Sequence, residues 1–132
     1  MVVVVCILKK REKFLICSRP TGKEFAGWYE FPGGKVEKNE YLIESLKREL
    51  LEELSIKLNT KNMIFLQSYE IKRQNKKILL NFFITNKWSG RIKNLENQRI
   101  KWVDLKKIRE SKILKSNKKI INTLSLFFPT TR

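Results

Sequence analysis

The stretch GGKVEKNEYLIESLKRELLEELSI, Gly33 to Ile56, constrains this chain more than any other. A glycine pair precedes an apolar helical pattern whose last turns carry Arg48, Glu49, Glu52 and Glu53. At about 100° per residue, Leu42, Ile43, Leu46, Leu50 and Leu54 share an arc of roughly 120°, the buried stripe of an amphipathic helix. The carboxylates do not sit opposite that stripe. On the same wheel Glu53 falls at roughly 20°, inside the apolar arc, Glu49 lies just beyond its edge, and Glu52 about 60° further round. Spacings of three and four residues stack these side chains, so three like charges crowd the margin of a buried surface and call for a cation. Arg48 is one candidate and a divalent metal the other. Carboxylates with no cysteine or histidine nearby suit a hard ion such as Mg2+ or Mn2+, which commonly accompanies phosphates. A surface helix with acidic and basic residues paired four apart meets the same spacing, and such pairing is expected of Glu44 with Lys47 and Arg48.

The 132 residues suit a single domain spanning 1–132, with room for one core. Pro, Gly and Ser are sparse and scattered, and no run approaches the roughly 18 to 20 apolar residues that span a membrane. The opening Met1 to Leu8 is apolar but has neither a basic leader nor a small-residue cleavage site, so it reads as a buried strand and not a signal peptide. Cys6 and Cys17 are isolated and read as packed thiols of a reducing compartment, with the cytoplasm as the expected location. The net charge of +16 admits a nucleic-acid partner. Lysines are spread through nearly every segment, however, together with abundant Ile and Asn, as an A/T-rich coding bias would also produce. A general attraction for small anionic substrates is therefore expected, with no stable nucleic-acid partner. The absence of histidine excludes His-based serine or cysteine triads and the usual zinc sites.

Val2 to Leu8 and Lys13 to Ser18 read as strands about the polar turn Lys9 to Glu12. Thr21 to Ala26 reads as a loop, and Gly27 to Gly34 as an extended run delivering the chain to the glycine pair. Met63 to Ile71 and Lys77 to Trp88 form a further strand pair about a basic turn, and Ile100 to Val103 a short strand. A last amphipathic helix is expected over Asn117 to Phe127, with Ile120, Ile121, Leu124 and Phe127 or Phe128 on one face. The pattern is α/β, a mixed sheet between helices.

Gly34, five residues, Glu40, seven residues, then Arg48-Glu49-Leu50-Leu51-Glu52-Glu53-Leu54-Ser55-Ile56 resembles the Nudix box at every fixed position except one. Ser55 stands where the family has a glycine that ends the helix in a left-handed conformation, costing a non-glycine residue about 1 kcal/mol. Glu30-Phe31-Pro32-Gly33-Gly34-Lys35, the preceding Arg19, Trp102 and Ser116-Asn117 extend the resemblance to the MutT-like branch of Nudix hydrolases over essentially the whole chain. It implies an α/β/α sandwich with a loop-helix-loop catalytic motif, and an Mg2+-dependent (or Mn2+-dependent) nucleoside-triphosphate pyrophosphohydrolase. The typical substrate is 8-oxo-dGTP, released as monophosphate and pyrophosphate. Other Nudix substrates stay open, among them CTP or methylated dCTP, dinucleoside polyphosphates, ADP-ribose and RNA 5′ ends, as does a non-catalytic Nudix-fold binding domain.

The resemblance assigns roles. The Gly33 carbonyl, Glu49, Glu52 and Glu53 would hold metal, with Glu53 the foremost ligand, and Arg48 would brace a carboxylate of the box. Glu96, six residues before Trp102, would contact metal or assist deprotonation of water, or else is a solvated loop glutamate. Arg19, Glu30, Phe31, Pro32, Gly33, Lys35 and Asn117 would form the substrate site. Phe31 would offer an aromatic face, and Lys35 either reaches phosphate or is a plain surface lysine. Asn117 either reads a purine edge or caps the last helix. Glu24 falls about where some relatives place a histidine, which this chain lacks. A monomer acting on small nucleotides is expected.

Overall fold

The run Val2 to Leu8 is apolar throughout because both faces of the strand it forms are covered. Val4, Cys6 and Leu8 enter one core, and Val5 and Ile7 the other. The structure is a computed structural model and describes residues 1–129. Its elements are, in chain order, β1 (Val2–Lys10), β2 (Lys13–Ser18), β3 (Tyr29–Glu30), β4 (Gly33–Lys35) and α1 (Leu42–Leu54). There follow β5 (Lys57–Leu58), β6 (Ile64–Arg73), β7 (Lys76–Thr85), β8 (Trp88–Ser89), β9 (Ile100–Val103), α2 (Leu105–Glu110) and α3 (Lys118–Phe127).

β1 is the axis of a mixed sheet. It runs parallel to β7, with Val2 to Leu8 opposite Leu79 to Thr85, and antiparallel to β4, with Val3 to Val5 opposite Lys35 to Gly33. Its far end turns into β2, which pairs antiparallel with β9 and β3. β6 and β7 form a long hairpin whose tip, Gln74 and Asn75, takes positive φ at both residues, the conformation that joins strands tightly. β5 and β8 make a separate two-stranded ribbon.

One face of the sheet is covered by α1, whose Leu46, Leu50 and Leu54 pack on Val4, Cys6, Leu8 and Leu15. The other is covered by α2 and α3, whose Leu105, Ile108, Ile120, Ile121 and Leu124 pack on Ile7, Phe14 and Phe82. The result is the expected α/β/α sandwich. Cys6 and Cys17 are free and buried on the α1 face, and burial raises both thiol pKa values.

Two local expectations are corrected, an open choice is decided and one element is new. Glu44 pairs with neither Lys47 nor Arg48; its Oε1 accepts the Tyr41 backbone N–H at 2.9 Å and so satisfies a free donor at the start of α1. The hairpin's second strand ends at Thr85, whose Oγ1 accepts the Lys87 N–H at 3.2 Å and diverts the chain before Trp88. Phe127 is 61% exposed, and Phe128 takes the inner place, with its ring 6.1 Å from Phe14. α2 was not anticipated. It is capped by Asp104, whose Oδ1 accepts the Lys107 N–H at 2.8 Å, and buries only Leu105 and Ile108, too few apolar residues to set up a helical period.

Candidate active site

The C-terminus of α1 delivers the glutamates. Ser55 ends the helix at φ 62°, ψ 28°, in the left-handed region, and its N–H returns to the Leu51 carbonyl at 3.0 Å. The serine thus does the work of the expected glycine, with the associated strain. Beyond it, the segment before β9 is stitched back onto the helix end. Lys93 N–H donates to Leu54 O at 2.8 Å and Leu95 N–H to Glu53 O at 3.1 Å. These two bonds satisfy helix carbonyls that would otherwise lack donors, and they bring Glu96 to Glu53.

The glycine pair lets two layers meet. A Cβ on Gly33 would lie 2.1 Å from the Val4 carbonyl oxygen, and one on Gly34 2.3 to 2.4 Å from the three carboxyl atoms of Glu49. Only hydrogen fits at either position.

Arg48 organises the acidic side chains. Its Nε and Nη2 grip Glu40 at 2.7 and 3.0 Å, a bidentate pair. Its Nη1 reaches Glu49 at 3.1 Å and Glu52 at 3.3 Å, and Nη2 also donates to the Lys35 carbonyl at 3.0 Å. The guanidinium, with the Glu37 backbone N–H, holds the Glu40 carboxyl down at about 2. Glu53 has no such help. It is 6% exposed, and burial first, then the charges of Glu49 and Glu96, push its pKa up to about 9. Among the described residues no Lys or Arg forms an ion pair with it.

These carboxylates face a cleft of about 830 Å3 that runs from α1 between β4 and the β6–β7 hairpin to the 115–117 segment, a volume suited to a nucleotide-sized ligand. Arg19, Glu30, Phe31, Gly33, Lys35 and Asn117 line it together with Glu49, Glu52, Glu53 and Glu96. Pro32 does not. It is buried, and its carbonyl accepts the Cys6 N–H at 2.8 Å. Arg19 is engaged with the Glu30 carboxylate at 3.3 Å and the Glu24 carbonyl at 2.9 Å. Burial raises the Glu30 pKa, and Arg19 opposes the shift. Phe31 is 3% exposed and belongs mainly to the core, so it does not offer the open aromatic face expected. Asn117 makes no helix cap; its Oδ1 accepts the Phe31 N–H at 3.2 Å.

Residues 1–124 match the NUDIX domain family. The chain belongs to that family. The 8-oxo-dGTP diphosphatase of Buchnera aphidicola subsp. Schizaphis graminum is 38% identical over 128 residues, 96% of this chain and 95% of that protein. The 8-oxo-dGTP diphosphatase of Buchnera aphidicola subsp. Acyrthosiphon pisum is 41% identical over 103 residues, 78% of this chain and 82% of that protein. A solved structure from work on MutT of Aliivibrio salmonicida and Vibrio cholerae shares the fold, with a TM-score of 0.82 at 24% identity over 96% of this chain and 97% of its own.

As a Nudix protein the chain should accept a divalent ion at the box, and its own residues fit one. A buried carboxylate crowded by two others and unmatched by a side-chain cation is the donor set a hard ion satisfies. Among the described residues no three acidic side chains form a ready cage, since Arg48 draws Glu49 and Glu52 to its own side. Three further residues of this Nudix cleft take no role from the sequence, although Ser116 shares in the resemblance there. Arg73 and Ser116 line its end at the 115–117 segment, and Gln98, two residues past Glu96, presents a buried Oε1 without a hydrogen-bond partner. Only the proximity of Gln98 to Glu96 could have suggested it.

Proposed function

We propose that this Nudix hydrolase converts 8-oxo-dGTP to 8-oxo-dGMP and pyrophosphate with Mg2+, or Mn2+ in its place, and so clears an oxidised nucleotide from the pool before DNA synthesis. It acts as a cytoplasmic monomer on free nucleotides. What carries the proposal is Glu53, a buried carboxyl pressed by Glu49 and Glu96 at the phosphate end of a nucleotide-sized cleft. No helix of the described residues is long and apolar enough to cross a membrane.

The Gly33 carbonyl, Glu49, Glu52 and Glu53 would hold the ion. When bound, it neutralises phosphate charge and lowers the pKa of water beside it. Glu96 takes the proton as general base. Arg48 touches no substrate; its ion pairs with Glu49 and Glu52 orient both carboxylates. Lys35, exposed at the cleft's rim, meets the phosphates, and Arg19 with Glu30 bounds the nucleoside.

Base choice rests with Asn117. Guanine presents two acceptors, N7 and O6, on its outer edge. Oxidation at C8 turns N7 into an N–H donor. A side-chain amide offers one acceptor and one donor side by side, which pairs with the oxidised edge and meets the ordinary one with a clash of acceptors. Steady-state hydrolysis of 8-oxo-dGTP, dGTP and CTP with Mg2+, with products resolved as pyrophosphate or orthophosphate, tests the proposal. The expected result is a kcat/KM for 8-oxo-dGTP at least about a hundredfold above dGTP, equivalent to roughly 3 kcal/mol of lost pairing, with pyrophosphate released. Preference for CTP, or orthophosphate as product, contradicts it.

A further inference from the structure

The Asn117 side chain is held at two corners. Its Oδ1 accepts the Phe31 backbone N–H at 3.2 Å, and its Nδ2 donates to Ser116 Oγ at 3.1 Å. A backbone N–H can only donate, so the first contact decides which end of the amide is oxygen. The second contact is to a hydroxyl, which ordinarily rotates between donating and accepting. Arg73 removes that freedom: its Nη2 donates to the same Ser116 Oγ at 3.3 Å, so both lone pairs of that oxygen are taken. The Ser116 backbone is fixed as well. Its carbonyl accepts Tyr69 Oη at 2.7 Å, and the Tyr69 oxygen in turn accepts the Ile120 N–H at 3.3 Å.

We propose that Ser116, backed by Arg73, is a positioning residue that sets nucleobase selectivity by holding the Asn117 amide in one orientation; the inference rests on Asn117 reading the base. With one Nδ2 hydrogen spent on Ser116 and one Oδ1 lone pair on Phe31, a single donor and a single acceptor remain for the ligand. Their direction is fixed only while both corners hold. Without the Ser116 hydroxyl, the amide pivots about its Phe31 contact and no longer presents both groups to the base edge. An oxidised guanine, which uses both, then loses more than guanine, which uses one.

The test is steady-state kinetics on 8-oxo-dGTP and dGTP for wild type, Ser116→Ala, Ser116→Thr, Asn117→Ala and the double alanine variant, each checked for folding by thermal melting. Ser116→Ala should raise KM for 8-oxo-dGTP about tenfold, change its kcat by less than about twofold, and lower selectivity over dGTP by a similar factor of about ten. Ser116→Thr, which keeps the hydroxyl, should retain wild-type selectivity. In the Asn117→Ala background, Ser116→Ala should have no further effect on selectivity, because the two residues act as one unit. Unaltered selectivity in Ser116→Ala, or a loss that adds in full to that of Asn117→Ala, overturns the proposal. A wild type that prefers another nucleotide overturns the substrate assignment instead. The Ser116–Asn117 coupling, measured on the KM of that nucleotide, then decides the positioning role.

Discussion

A carboxyl pushed up to about 9 by burial, Glu49 and Glu96 couples folding to the proton at Glu53. Its pKa is raised in the folded state above an unfolded value near 4.3. The stability it contributes is therefore complete below about pH 4 and is lost as pH rises towards 9, because the fold must keep a proton that the unfolded chain releases. In chelator, wild type should lose stability relative to Glu53→Gln steadily between about pH 5 and 9, read as the difference in denaturant midpoints. Mg2+ should stabilise wild type in the same window. A midpoint difference independent of pH would contradict this account of the carboxyl. Ser55 offers a separate test at the same scale. At φ 62° it carries strain that glycine would not, so Ser55→Gly should raise stability by up to about 1 kcal/mol. A clear fall in the midpoint would show that the hydroxyl or the Cβ is needed there.

Between elements, the contact of β4 with β1 and α1 makes the glycine pair a matched experiment. The obstruction at Gly33 is the Val4 backbone carbonyl, which cannot step aside, so Gly33→Ala should destabilise by about 2 kcal/mol or more. The obstruction at Gly34 is the tip of Glu49, a flexible side chain that can yield only by leaving its present place. Gly34→Ala should therefore fold with little loss yet reduce kcat about a hundredfold, the effect of moving a reacting group by an ångström. Circular dichroism melts alongside turnover separate the two outcomes; equal destabilisation by both variants would contradict the geometry. The helix carrying these contacts was legible in the sequence because a 3.6-residue period and a misplaced carboxylate are both local signals. α2 was not legible, since six residues hold too few apolar positions. Nor could the sequence show that the Asn117 side chain leaves the helix end uncapped, because its oxygen is taken by the Phe31 N–H 86 residues away, and Ser116 with Arg73 is a similarly distant pairing. The open aromatic face expected of Phe31 failed for a related reason: burial depends on which elements cover a strand end, and no residue pattern states it.

Across the whole molecule, the end of α1, strands β1 and β4, the β6–β7 hairpin and the loops around them converge on a cleft whose α1 end is acidic and whose walls carry Arg19, Lys23, Lys35, Arg73 and Lys76. On a chain of net charge +16 those walls suit a polyanion, and the acidic end suits a cation that travels with it. The architecture and box were readable because hydrophobic periods and motif spacing are local along the chain; the cleft's far wall exists only after the β6–β7 hairpin meets the 115–117 segment. The central claim is that a divalent ion held by Glu53 drives hydrolysis at this cleft. Its most direct test is turnover of 8-oxo-dGTP as a function of Mg2+ concentration in wild type and Glu53→Gln, with both confirmed as folded. The account predicts no turnover in chelator, saturable activation of wild type by Mg2+, and a kcat for Glu53→Gln lower by at least about a hundredfold at saturating Mg2+. Full activity of wild type in chelator, or near-normal turnover of Glu53→Gln, would contradict it.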